Sequence, residues 1–116
     1  GITALTIDMS ANGAATFNND ITAFSDKRLK TDIQPITNAL SKVMQMQGVY
    51  YKRNDIEDAR EQVGVIAQDM EAVLPEVVLT ADDDMQTKSV DYGKLCAVLI
   101  ESIKELKAEI DELKKN

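Results

Sequence analysis

The feature that most constrains the fold is the regular recurrence of apolar residues in the last quarter of the chain. From about Tyr92 onward an apolar residue occurs at every third or fourth position, which is the spacing of one helix face. In heptad notation, position a is occupied by Cys96, Ile103 and Ile110, and position d by Leu99, Leu106 and Leu113. This pattern is typical of a coiled coil and predicts one long C-terminal helix.

The a and d residues form an apolar seam along the helix, and this seam leaves two questions open. Isoleucine at a with leucine at d by itself favours a two-stranded coil, so the repeat does not give a trimer. For the part before Ser102, an amphipathic helix that packs on its own domain explains the pattern equally well. Farther along, Glu109 at position g and Lys114 at the following e can pair charges between chains.

The limited apolar content of the chain also favours association. The chain has 116 residues, of which 44% are hydrophobic and only 4% aromatic. A domain of this size buries about 60 to 70% of the surface of its unfolded chain. We therefore expect one small domain that completes its apolar burial in a multimer.

Charge and residue types argue against several classes of partner and site. The net charge of -7 and the pI of about 4.5 disfavour nucleic acid and anionic membranes as partners. No apolar run approaches the roughly 20 residues of a membrane span. The single cysteine, Cys96, cannot form an intrachain disulfide, and a chain without histidine lacks the usual ligands of structural zinc. The residues Asp82–Asp84 lack the ligand spacing of a calcium loop, so we expect no metal and no cofactor.

Residues 1–24 have the short alternating pattern of β-strands. The alternating apolar residues are Leu5, Ile7, Met9, Ala15 and Phe17, and turn residues stand at Asn12-Gly13 and Asn18–Asp20. So few strands are marginal in water by themselves. We expect neighbouring chains or upstream sequence to complete them, and the alternative is a flexible tail.

Two helices are predicted in the middle of the chain. The first carries Pro35 in its first turn and ends before Gly48, which suits a left-handed cap. Its apolar positions are Ile33, Ile36, Leu40, Val43 and Met44. The second runs from about Val65 to Leu74, and Pro75 stops it.

Two hairpin-like segments accompany these helices. Residues 49–51 are β-prone and precede a charged run at 54–62, which we interpret as a loop or a hairpin tip. Residues 77–79 and 88–90 flank the acidic residues 82–84, and this arrangement predicts a hairpin with an acidic tip.

A serine and a lysine stand five residues apart where the strand-like pattern gives way to the helical one. Because the chain has no histidine, a catalytic Ser25 cannot belong to a Ser-His-Asp triad. It would need a serine-lysine dyad, with Lys30 as the base. The pKa of a lysine side chain in water is about 10.4, so burial or nearby cations must lower it before the amine acts near neutral pH. The alternative without chemistry is a cap made by Ser25 or Asp26. In that case Lys27, Arg28 and Lys30 are solvated charges.

Several motifs in a fixed order resemble one known family. They are Ser25–Lys30 (SDKRLK), Gly64–Val78 (GVIAQDMEAVLPEVV), Val90–Leu95 (VDYGKL) and Ile103–Leu106 (IKEL). Together they look like the endosialidase-type intramolecular chaperone domain, which lies at the C-terminus of phage tail fibres and tail spikes. The family is also found in eukaryotic membrane-tethered transcription factors, but residues 1–24 are similar to the end of a phage fibre stalk.

The resemblance implies a homotrimeric helper domain that assists the folding of a fibre stalk and then releases itself. In the family's pattern, the scissile bond is Phe24-Ser25, with Ser25 as the nucleophile and Lys30 as the base of a self-cleaving serine endopeptidase. The partner is the upstream fibre or spike segment of the same protein, in a virion precursor assembled in the host bacterial cytoplasm. The alternative is a structural trimerisation module that does not cut.

The expected fold class is α+β, mainly helical, in two parts. Residues 1–24 form the end of a β-structured fibre stalk. Residues 25–116 form a chaperone domain of mixed helices and hairpins, whose C-terminal helix, from about residue 92, joins a trimeric coiled coil. On the polar side of the second helix, Gln68 and Glu71 are open to an interchain hydrogen bond or to simple solvation.

Overall fold

The computed structural model describes residues 14–115, and the strands predicted before residue 14 lie outside that range. The described residues form α1 (Ala39–Val43), β1 (Val49–Tyr51), β2 (Gln62–Gly64), α2 (Ala67–Val73), β3 (Val78–Thr80), β4 (Lys88–Val90) and α3 (Tyr92–Lys114), with single 3-10 turns at Lys27–Leu29 and Pro75–Val77. This mixture of helices and strands confirms the predicted α+β class. The trimeric state of the coiled coil stays a prediction.

The first predicted helix is much shorter than expected. The sequence pattern places it from about Ile33 to just before Gly48, but α1 covers only Ala39–Val43 and so falls short at both ends. The reason lies in the backbone, because Asp32 (φ 54°) and Asn38 (φ 56°) adopt positive φ angles that a right-handed helix cannot contain. Pro35 also disfavours the helical conformation of the residue before it. The apolar spacing over residues 33–38 was therefore a wrong indicator of helix.

The structure contains two hairpins, of which the second was predicted outright and the first was one of two alternatives, without a predicted strand at residues 62–64. Strands β1 and β2 pair antiparallel, with Tyr50 opposite Val63, and the charged residues 52–61 connect them. Strands β3 and β4 pair antiparallel with Leu79 opposite Ser89. Each sheet has only two strands and is stable only when it packs on the helices.

Helix α2 ends where the sequence predicts. The last main-chain hydrogen bond of the helix joins the Leu74 N–H to the Met70 carbonyl oxygen at 2.7 Å, and Pro75 then starts a 3-10 turn. Proline has no N–H to continue the α-helical ladder. The turn directs the side chain of Val77 into the core, where it is 2% exposed.

The core is small for a chain of this length. Its buried hydrophobic members in the described part of the chain are Ala39, Met70, Leu74, Val77 and Val98. They join α1, α2, the turn after α2 and the first half of α3. Many larger apolar side chains remain exposed in the single chain, which agrees with the expectation that association completes the burial.

Helix α3 presents two different faces. Val98 and Ser102 are each only 4% exposed and pack on the domain, and the Ser102 hydroxyl donates to the Leu99 carbonyl at 2.9 Å. The predicted a and d positions lie on another face, where Ile103 is 65% exposed and Leu113 is 73% exposed. Packing on the domain and the heptad seam are therefore compatible, because they use different sides of one helix.

Residues 14–24 form no strand in the described part of the chain, although Ala15 and Phe17 have the expected alternation. All of these residues are exposed. A strand needs a neighbouring strand for its backbone N–H and C=O groups, and this segment has no such neighbour among residues 14–115. Completion of a stalk by other chains or by upstream sequence stays a prediction.

Candidate active site

A single 3-10 turn brings the predicted serine and lysine together. The Asp26 carboxylate accepts the Arg28 N–H at 2.9 Å, so Asp26 caps the turn. The Leu29 N–H then bonds to the Asp26 carbonyl at 3.0 Å, and the Lys30 N–H bonds to the Lys27 carbonyl at 3.1 Å. The turn folds the chain back, so the side chain of residue 30 returns to residue 25.

The Lys30 Nζ donates a hydrogen bond to the Ser25 Oγ at 2.7 Å. This distance is within the reach that a base needs to remove a hydroxyl proton. An amine that has lost its proton can accept from the hydroxyl at the same separation of heavy atoms, so one geometry serves both proton states. The structure joins the two residues that the sequence singled out, and their catalytic roles stay a prediction.

Asp26 and Arg28 hold the turn. The Arg28 guanidinium donates to both carboxylate oxygens of Asp26, at 3.1 and 2.7 Å. This side-chain hydrogen bond, with that of the Arg28 backbone N–H, holds the pKa of Asp26 below its usual value. Both side chains are largely exposed, so the pair adds little to the stability of the domain. The cap that the sequence offered as an alternative to chemistry is therefore present at Asp26, and it coexists with the serine-lysine contact.

The dyad faces a cleft between the chain before it and the beginning of α3. The cleft is lined by Ile21, Thr22, Ala23, Phe24, Ser25 and Lys30 and by Asp91, Gly93 and Lys94. Lys94 Nζ lies 3.8 Å from an Asp91 carboxylate oxygen. Phe24 is 94% exposed, so the bond that precedes Ser25 is open to solvent in the single chain. Sequence reasoning missed Asp91 and Lys94, although both belong to the third motif.

The second and third motifs meet at a tyrosine that anchors the beginning of α3. The Tyr92 hydroxyl accepts the Val65 N–H at 3.2 Å. A Cβ atom on Gly64 would lie only 2.6 Å from that hydroxyl oxygen, which explains a glycine at this position. The contact anchors the beginning of α3, whose residues Gly93 and Lys94 line the cleft.

The polar side of α2 makes an ion pair within the chain. Lys88 Nζ lies 3.1 Å from a Glu71 carboxylate oxygen and also donates to the Thr80 hydroxyl at 2.9 Å. Glu71 therefore has a partner in its own chain, and simple solvation does not describe it. Gln68 is exposed, and an interchain hydrogen bond at this side chain stays a prediction.

The acidic hairpin tip has a structural explanation. Asp83 accepts the Thr87 N–H at 2.8 Å and the Thr87 hydroxyl at 2.7 Å, and these bonds lower its pKa, the backbone bond most. Gln86, the residue before Thr87, has a φ of 51°.

Across residues 14–115, acidic and cysteine side chains form no group of three or more that could hold a metal ion. None of the helices described in this range has the length and apolar character to cross a membrane.

Residues 25–79 match the model of the protein family described as chaperone of endosialidase. The match begins at Ser25, contains the serine-lysine contact, and extends through α2 into β3. The resemblance that the sequence motifs indicate is therefore confirmed.

The similar proteins are phage tail fibre proteins. The chain is 33% identical over 126 residues to the long tail fiber protein Gp37 of Enterobacteria phage K3, an alignment that covers 92% of this chain and 10% of that protein. It is 37% identical over 102 residues to the Gp37 of Enterobacteria phage M1, covering 83% of this chain and 41% of that protein. The Gp37 of Salmonella phage S16 is 33% identical over 110 residues, covering 89% and 15% respectively. The chain thus spans less than half of each of these relatives.

Proposed function

We propose that the chain, whose residues 25–79 match the family described as chaperone of endosialidase, is an intramolecular chaperone of a phage tail fibre or spike. It brings three fibre chains together, assists the folding of the stalk that precedes it, and then releases itself by cutting the Phe24-Ser25 bond. The 2.7 Å hydrogen bond between Lys30 Nζ and Ser25 Oγ is the observation that carries the proposal. The fibre setting is supported by the relatives, which are named long tail fiber proteins.

The proposed cleavage is a single reaction of each chain on itself. Ser25 Oγ attacks the carbonyl carbon of Phe24, and the hydroxyl proton passes to Lys30 Nζ. The C–N bond then breaks as Lys30 returns the proton to the leaving α-amine, which leaves an ester between Phe24 and the Ser25 oxygen. Water hydrolyses this ester. The products are a carboxylate on Phe24 and a free amine and hydroxyl on Ser25, so one water is consumed for each bond cut.

Assembly is the step that would activate the lysine. Lys30 is exposed in the single chain, and an ammonium group has no lone pair with which to accept the serine proton. Neighbouring chains that cover the dyad would exclude water and favour the neutral base. Cleavage would then follow correct assembly, which is the order that a folding helper needs.

The exposed seam of α3 is the proposed trimer contact. Leu99, Leu106 and Ile110 are each 40 to 45% exposed in the single chain, at positions where a coiled coil buries side chains. The upstream fibre segment is the second partner, because residues 21–25 connect it directly to the cleft. We place the protein in a virion fibre or spike precursor that assembles in the host bacterial cytoplasm.

A structural module that assembles without cutting is the second candidate. It is favoured by the exposure of the dyad, since a solvated serine-lysine contact is also compatible with an inert turn. The mass of the purified full-length polypeptide separates the two candidates. Two fragments that meet at Phe24-Ser25 support self-cleavage, and an intact chain in an assembled particle supports the structural module.

Substitution of the dyad tests the assignment of roles. We expect Ser25→Ala and Lys30→Ala to leave the chain intact while the particle still assembles, as measured by denaturing and native mass spectrometry. Lys104→Ala is the control, because this exposed lysine on α3 does not line the cleft and should leave the rate of cleavage unchanged. Normal cleavage by the Lys30→Ala variant would remove Lys30 as the base.

A further inference from the structure

We propose that Lys94 is a further catalytic residue, whose ammonium group stabilises the negative charge that develops on the Phe24 carbonyl oxygen during cleavage. This inference rests on the proposed self-cleavage and adds to it a role for a second lysine of the same cleft.

The position of Lys94 suits this role. Lys94 lines the same cleft as Phe24 and Ser25, which contribute the two sides of the proposed scissile bond. The Tyr92 contact with the second motif anchors the beginning of α3, because the Tyr92 hydroxyl accepts the Val65 N–H. The lysine side chain is thus attached to an anchored helix, and the proposed scissile bond lies in the segment that lines the same cleft.

The ammonium group of Lys94 also has N–H donors that its ion pair does not use. Its side chain is 60% exposed, and its ion pair with Asp91 is long, at 3.8 Å. A lysine ammonium has three donors, so it can face Asp91 and still donate to a second acceptor.

The reaction requires such a donor. When the serine oxygen attacks, the carbonyl oxygen becomes an oxyanion, and donors aimed at it supply much of the rate enhancement in acyl transfer. Arg28 is engaged by both oxygens of Asp26, and Lys30 has to take the serine proton. Among the described residues that line the cleft, Lys94 is the remaining cation.

A rival role for Lys94 predicts a different pH dependence. The charged groups in the cleft are Lys30, Asp91 and Lys94, and the neighbouring turn adds Lys27 and the paired Asp26 and Arg28. If the positive charge of Lys94 acted only by favouring a neutral Lys30, its removal would move the pH–rate profile to higher pH and leave the plateau rate unchanged. An oxyanion donor instead changes the plateau rate.

The test measures the rate of cleavage of the full-length polypeptide by mass spectrometry across a range of pH. We expect Lys94→Met to slow cleavage about 10²-fold at every pH, as for loss of one oxyanion donor, and Lys94→Arg to keep most of the rate. Lys104→Met is the matched control, because Lys104 also pairs with an acid three residues earlier on α3 and is similarly exposed, at 69%. It should cleave at the unmodified rate.

Several outcomes would overturn the inference. These are an unmodified rate for Lys94→Met, an equal loss in Lys94→Arg, a shifted profile with an unchanged plateau, or a Lys94→Met chain that no longer assembles by native mass spectrometry. If the unmodified chain itself stays intact, the proposed self-cleavage fails and the role of Lys94 fails with it. If the unmodified chain cuts and Lys94→Met matches Lys104→Met, only the role of Lys94 fails.

Discussion

The two halves of α3 differ in what covers them. In the first half, the Tyr92 hydroxyl contacts the second motif, and Val98 and Ser102 are buried on the domain. In the second half, the a and d residues from Ile103 to Leu113 are 40 to 73% exposed. One continuous helix therefore packs on the domain through buried side chains in its first half, while its open apolar seam, which already includes Leu99 at 44% exposed, continues through the second half. The first half gains its stability within the chain, and we expect the second half to gain it from other copies.

The largest effect is expected at the seam. Leu106→Asp would place a charge at a d position, and an unpaired buried charge costs about 3–5 kcal/mol in each chain. We expect the variant to lose assembly at micromolar concentration, measured by analytical ultracentrifugation. Ala108→Asp adds the same charge at position f of the same heptad, where we expect assembly to persist. If Leu106→Asp assembles as well as this control, the seam is not the contact between chains.

A smaller effect is expected at the anchor of the first half. Gly64→Ala would place a Cβ 2.6 Å from the Tyr92 hydroxyl oxygen, and we expect the overpacking to lower the free energy of unfolding by about 1–3 kcal/mol. Gly48→Ala is the control, since nothing lies within 4 Å of a Cβ there. Urea unfolding at a fixed chain concentration measures both variants, because assembly adds to apparent stability.

Removing the clashing oxygen sharpens this prediction. The double variant Gly64→Ala with Tyr92→Phe should be less destabilised than the sum of its two single variants, because the added methyl group then meets no hydroxyl. Strict additivity would mean that the tyrosine hydroxyl is not what requires a glycine at position 64.

The features that the sequence could predict are those that depend on short local patterns. The long helix, the hairpin at residues 78–90 and the end of α2 at Pro75 follow from local rules, and each is present. The first helix was predicted too long because its apolar spacing is visible in the sequence, whereas the left-handed backbone at Asp32 and Asn38 is not. An isolated positive φ depends on the path of the chain around it, which no short window of sequence contains.

The candidate site shows the same division. The contact between Ser25 and Lys30 could be predicted, because the two residues are separated by one turn and a family motif contains both. Lys94 could not be placed there by pattern alone, since it lies 64 residues after Lys30 and joins the cleft only through the anchored start of α3. A motif indicates which residues matter, and the fold determines which of them meet.

The smallest effect is expected at Glu105, where the two halves of α3 join. Its carboxylate accepts the Ala39 N–H at 2.8 Å and the Leu40 N–H at 3.3 Å, so it caps α1, which has no side-chain cap from Asn38. We expect Glu105→Gln to lower the free energy of unfolding by about 0.5–1 kcal/mol, because the amide loses the charge that favours a helix N-terminus.

The control for this prediction is Glu101→Gln. Glu101 is one turn earlier on the same helix and pairs only with the exposed Lys104, so its loss should cost less than about 0.5 kcal/mol. Urea unfolding at one chain concentration again measures the difference. If the two variants are equally stable, the carboxylate of Glu105 does not connect α1 to α3. In that case the packing of α3 on the domain would come from the buried Val98 and Ser102 and not from a charged contact with α1.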